Sequence, residues 1–115
     1  NSKNKAQASN AFDGDSVWLA NGQIEVFYPG AGHTVDNVVV WMPKQKVLFG
    51  GCFVKSKSLG NLSDAVIVDW PESAQKLISR YSKAALVVPG HGKVGNVSLL
   101  ESTKKLAIEA QRQRL

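Results

Sequence analysis

Apolar and polar residues alternate over residues 23–28. Ile24, Val26 and Tyr28 fall on one side and Glu25 and Phe27 on the other, which is the period of a strand. Residues 16–19 are a shorter strand candidate, and the Asn21-Gly22 pair between the two segments predicts a hairpin turn. Residues 37–42 form a near-continuous apolar run, which predicts a strand buried on both faces. Pro43-Lys44-Gln45 turns the chain, and residues 46–49 return as a partner strand. Residues 55–64 are polar, contain Gly60 and read as a loop. The period then becomes helical. Pro71 suits a first helical position, and Ala74, Leu77, Ile78 and Tyr81 share one face up to about residue 82. Residues 85–88 read as a short buried strand ended by Pro89-Gly90. A second helix is predicted over 97–113, capped by Asn96, with Leu99, Leu100, Thr103, Leu106, Ala107 and Ala110 as its inward stripe. Strands come first and helices later, with one strand between the helices. This order predicts an α+β fold with a mostly antiparallel sheet covered by helices on one face.

Composition narrows the classes. Of the 115 residues 43% are hydrophobic, so the chain is not intrinsically disordered. No apolar stretch approaches the roughly 18 residues of a membrane span. No internal repeat or linker divides the chain, and residues 1–15 read as a loop or the end of a preceding helix. The start, Asn1-Ser2-Lys3-Asn4-Lys5, has neither a signal peptide's apolar core nor an initiator methionine, so the chain reads as a piece of a longer product. The net charge of +5 is scattered rather than striped. Lys104, Lys105, Arg112 and Arg114 lie in the second half of the predicted helix or just beyond it, where cations oppose the negative end of the macrodipole. No nucleic-acid partner is expected.

The candidate chemistry lies in one cysteine and two histidines. Cys52 follows Gly50-Gly51, His33 follows Gly30-Ala31-Gly32, and His91 stands between Gly90 and Gly92. Each comes after a glycine-containing turn at the end of an apolar run. Soft and borderline donors on bare backbone suit a zinc site. A single cysteine cannot form an internal disulfide, so Cys52 packs, binds metal or reacts. Thr34, Asp36 and Asn37 follow His33 closely and are placed to bond either its second ring nitrogen or the turn. The gaps between the three residues are too long for a zinc finger. They would have to converge from three separate strand ends, as in a catalytic site at a sheet edge.

Four ordered segments resemble the metallo-β-lactamases, specifically subclass B1. Residues 24–41, with Pro29-Gly30-Ala31-Gly32-His33-Thr34-Val35-Asp36, look like the family's third-histidine segment. Leu48-Phe49-Gly50-Gly51-Cys52-Phe53-Val54-Lys55 looks like its cysteine segment, and Leu59-Gly60-Asn61-Leu62-Ser63-Asp64-Ala65 like its substrate-side loop. Val87-Val88-Pro89-Gly90-His91-Gly92 looks like its last ligand. The resemblance implies an αββα sandwich holding two zinc ions, with residues 1–115 as its C-terminal half. It implies a periplasmic hydrolase, monomeric when complete, that opens the β-lactam ring by metal-bound hydroxide. His33 would complete a three-histidine site for the first zinc. Cys52 and His91 would bind the second together with an aspartate. Lys55 would receive the substrate carboxylate, and Asn61 would lie near the substrate carbonyl.

One departure is large. The family's His-x-His-x-Asp motif is absent, so half of the ligands are missing. The missing N-terminal half is then the implied partner, and this chain alone is expected to be inactive and to bind zinc poorly. A half sandwich is also expected to expose one apolar sheet face. No Gly-x-Ser-x-Gly elbow offers a protein nucleophile, and no catalytic residue is assigned within the chain. Three rival readings remain. A glyoxalase II-like thioesterase of the same fold would carry an aspartate where Cys52 stands. A subclass B2 lactamase shares the cysteine and the lysine. A non-catalytic binding module would leave His33, Cys52 and His91 far apart.

Overall fold

A computed structural model describes residues 15–60 and 62–113 of the chain. The expectation for residues 1–15 therefore lies, but for Asp15, outside the described residues, as does Asn61. The elements run β1 Ser16–Leu19, β2 Ile24–Phe27, β3 Val39–Met42, β4 Val47–Gly51, α1 Trp70–Arg80, β5 Leu86–Pro89 and α2 Ser98–Gln113. The strands form one sheet in the order β1-β2-β3-β4-β5. Neighbours are antiparallel from β1 to β4, and β5 lies parallel to β4. The expected α+β order is therefore the observed one.

The first hairpin sits at Asn21-Gly22 but is longer than a two-residue turn. Leu19 pairs with Ile24, and Ala20 and Asn21 both take left-handed φ angles of 52° and 56°. In α1 the predicted face is buried at Ala74 and Leu77, and Trp70 and Ser73 join it. In α2 the Asn96 cap forms: Ser98 N donates to Asn96 Oδ1 at 2.8 Å. Leu100, Thr103 and Ala107 of the stripe are buried, and Leu99, Leu106 and Ala110 pack at its margins.

The core lies between one face of the sheet and the two helices. Phe27, Val39, Leu48 and Val87 from the sheet join Trp70, Ala74, Leu77, Tyr81, Leu100 and Ala107, with Phe53, Val54 and Leu59 from the connecting loop. The inward face of β2 is the one carrying Glu25 and Phe27, and Glu25 is 1% exposed. A buried carboxylate is tolerable only when paired. Here Tyr81 Oη donates to it at 2.8 Å, and Arg80 Nη2 forms an ion pair with it while its guanidinium lies 4.3 Å over the Phe27 ring. The hydrogen bond from Arg80 to Glu25 raises the pKa of the guanidinium. Burial, reinforced by Glu25, pushes the Tyr81 hydroxyl above its ordinary value.

Two strands are less covered than their apolar runs predict. In residues 37–42 only Val39 is buried, and in β5 Leu86 is 47% exposed while Val87 is buried. The reason is the second face of the sheet. Registers place Leu19, Ile24, Val26, Val40, Met42, Val47, Phe49, Leu86 and Val88 together on it. All of them are half-buried or exposed among the described residues. An apolar face without a second layer is what half of a sandwich leaves open.

Candidate metal centre

Strand direction brings the candidate ligands to one edge. β3 is antiparallel to both β2 and β4, and β5 is parallel to β4. The C-terminal ends of β2, β4 and β5 therefore lie at the same end of the sheet. His33 follows β2, Cys52 follows β4 directly, and His91 follows β5. The turns at 20–23 and 43–46 occupy the opposite end.

The Cys52 and His91 segments touch through their glycines. Gly51 takes a left-handed φ of 58°, which turns the chain sharply as β4 ends. Its carbonyl accepts from Val54 N at 3.1 Å and from Gly90 N at 2.8 Å. A Cβ built on Gly90 would stand 2.9 Å from Cys52 Sγ and 2.9 Å from Cys52 N. Only glycine allows the backbone preceding His91 to pass against the thiol. Cys52 is a free, half-buried cysteine, and His91 is exposed.

The His33 loop is held by its own polar residues and by α1. Asn37 Nδ2 donates to Gly30 O at 2.8 Å, and Asn37 Oδ1 accepts from Thr34 N at 3.0 Å. Thr34 Oγ1 donates to Asp36 Oδ1 at 3.1 Å. Thr34, Asp36 and Asn37 thus serve the turn. Ser73 Oγ donates to Ala31 O at 2.7 Å, and Val66 N donates to Gly32 O at 2.7 Å. The imidazole stands edge-on to Trp70 with ring centroids 6.0 Å apart. Burial lowers the His33 pKa, the Lys55 charge and the nearby His91 ring act in the same direction, and Asp64 opposes them. Lys55, Asp64 and His91 therefore lie within electrostatic reach of His33.

Lys55 is half-buried, and its backbone N donates to Thr103 Oγ1 at 2.8 Å. Its Nζ lies 4.0 Å from where a Cβ on Gly60 would be, so the ammonium reaches the loop that carries Asn61.

This donor set suits a thiophilic divalent metal. It offers a free thiol, an exposed imidazole and, on His33, an imidazole whose Nδ1 is buried with no hydrogen-bond partner. A neutral imidazole is the metal-binding form. Among the described residues no three His, Cys, Asp or Glu side chains are grouped so that they could hold a metal ion. A metal here needs further donors.

The comparisons with known proteins decide the family. Residues 11–91 match the Metallo-beta-lactamase superfamily. The chain belongs to that superfamily. It is 50% identical over 109 residues to a metallo-beta-lactamase type 2 from Pseudomonas aeruginosa, which covers 95% of this chain and 44% of that relative. It superposes with a TM-score of 0.88 and 54% identity on the DIM-1 metallo-beta-lactamase exposed to ceftazidime, over 92% of this chain and 50% of that one. It also superposes on the metallo-beta-lactamase FIM-1 from Pseudomonas aeruginosa in its mono-zinc form, with a TM-score of 0.82 and 36% identity over 91% of this chain and 48% of that one. The subclass B1 resemblance is borne out by these metallo-beta-lactamase matches, and the chain spans about half the length of its relatives. Its five-stranded sheet and two helices are one half of the metallo-beta-lactamase sandwich.

The motifs named the ligand candidates but missed their supports. Trp70, Ser73 and Thr103 are buried beside the His33 and Lys55 loops. A readable signal existed for two of them: a hydroxyl on the apolar stripe of a helix. Ser73 lies three residues from Trp70 and beside Ala74, and Thr103 lies between Leu100 and Ala107. Such a hydroxyl must find a partner when buried.

Proposed function

We propose that this chain supplies half of the metal site of a zinc-dependent β-lactamase. The observation that carries the reading is the meeting of the Cys52 and His91 segments at the sheet end that also bears His33 and Lys55. Support comes from similar metallo-beta-lactamases, one in a mono-zinc form and one exposed to ceftazidime. His33 would serve a first zinc, and Cys52 and His91 a second, the other donors coming from an N-terminal half that also covers the bare sheet face. The chain alone is then inactive. The complete enzyme would be a periplasmic monomer, and among the described residues no helix is long and apolar enough to cross a membrane.

The chain's own residues supply binding and orientation. Lys55 offers a compact positive charge with rotatable donors, which suits the carboxylate of a β-lactam. Asn61 would present an amide to the lactam carbonyl. The packed Trp70 ring and the Ser73 bond to Ala31 O restrain the His33 loop. Bound zinc would supply Lewis acidity, lowering the pKa of water to about 7 and polarising a carbonyl. A cysteine with a lysine three residues later favours lactams over the thioesters of glyoxalase II-like relatives of the fold. The touching glycines of the Cys52 and His91 segments argue against a non-catalytic module with scattered ligands.

The test is Cys52→Ser in the complete protein, followed by metal analysis and lactam hydrolysis. Zinc content at limiting metal and turnover are both expected to fall by about tenfold or more, since even outer partners of metal ligands carry that much. Unchanged zinc content and unchanged rate would overturn the proposal.

A further inference from the structure

Lys55 lies in the connection between β4 and α1, where regular structure does little to fix its backbone. What holds it is α2. Thr103 is 0% exposed and stands on the inward stripe of that helix. Its hydroxyl accepts from Lys55 N at 2.8 Å. Its own proton faces two carbonyls, Leu99 O at 2.8 Å and Lys55 O at 3.0 Å. A helical threonine commonly returns its proton to the carbonyl four residues earlier. Here the oxygen of that same group also takes the Lys55 N–H, so one hydroxyl clamps the lysine's peptide groups from both sides. Val54 before it is buried, and the Nζ beyond it reaches the Gly60 loop. The aim of a four-carbon side chain depends on where its Cα is held.

We infer that Thr103 is a positioning residue for Lys55, setting where its ammonium meets the anionic group of the substrate. The inference rests on the proposed role of Lys55. Thr103 touches no substrate; it acts through the Lys55 backbone. Valine keeps the shape of threonine and removes the hydroxyl, leaving the Lys55 N–H without its partner.

The experiment is steady-state kinetics of the complete, zinc-loaded protein with a carboxylate-bearing β-lactam. Thr103→Val is expected to raise KM about five- to tenfold with kcat within about twofold, the signature of weakened ground-state binding. Thr103→Ser, which restores the hydroxyl, returns KM to within about twofold of the parent. In a Lys55→Ala background, Thr103→Val adds no further rise in KM, because both changes act on one interaction. A structural role alone predicts an unmoved KM and additive effects, and either of these overturns the inference. If Lys55→Ala raises KM and Thr103→Val does not, the inference fails while the Lys55 reading stands. If Lys55→Ala itself leaves KM unchanged, the Lys55 reading fails and the inference with it. Should the valine variant not fold, amide hydrogen exchange in the parent protein decides. Slow exchange at Lys55 NH supports the clamp, and exchange as fast as at exposed Ser56 overturns it.

Discussion

Leu48 and Phe49 are adjacent on β4, yet Leu48 is 0% exposed and Phe49 is 42% exposed. The same contrast runs across the sheet, with Phe27, Val39 and Val87 on the covered side and Leu19, Val40 and Leu86 on the open one. Both faces are apolar. The covered face even holds the buried charge, Glu25, while Ile24 and Val26 point the other way. Apolarity therefore marks a face for burial without saying what buries it. On the inner face the chain supplies the cover itself, from α1 and α2. On the outer face the described residues supply none.

Three substitutions sharpen this contrast, all measured by denaturant unfolding of the complete protein. The largest effect belongs to Leu48→Ala, which is expected to lower stability by about 2–5 kcal/mol through lost burial and a residual cavity. A loss under about 1 kcal/mol would mean that the inner layer collapses around the gap and is not closely packed. Phe49→Ser comes next. If the N-terminal half covers the outer face, it is expected to cost about 2 kcal/mol or more, since a large side chain then leaves a core. A change within about 0.5 kcal/mol, the range of ordinary surface sites, would show that this face stays open to water. Glu25→Gln is expected to have the smallest effect, about 1–2 kcal/mol. It keeps the shape but weakens charge-assisted bonds to Tyr81 and to an Arg80 that is itself partly exposed. A stability gain would instead mark the ion pair as a net penalty of burial.

Much of this molecule was legible along the chain because its signals are local. Period-2 and helical patterns located the described strands and helices to within a few residues, and Asn96 announced the start of α2 by its own capping chemistry. The glycine-flanked Cys52, His33 and His91 could be picked out because soft donors in tight turns are chemically unusual. The side of β2 that faces inward was not legible. Its more apolar residues face out, and Glu25 is acceptable inside only because Arg80 and Tyr81 arrive from the end of α1. Nor was the work of Ser73 and Thr103 legible. A hydroxyl on an apolar stripe shows that a partner is needed, but the partner lies 42 residues away at Ala31 and 48 residues away at Lys55.

From its order of residues alone, this chain determined its elements, its α+β class, its metal-ligand candidates and its superfamily. Each of those depends on short stretches whose geometry and chemistry are set by near neighbours. Tertiary structure alone decided which sheet face the helices cover, that three strand ends share one edge, that Gly90 lies against the Cys52 thiol, and that α2 grips the backbone of Lys55. Those are matters of strand direction and of contacts between distant segments. No periodicity encodes them, because many arrangements satisfy the same local pattern and only packing selects among them.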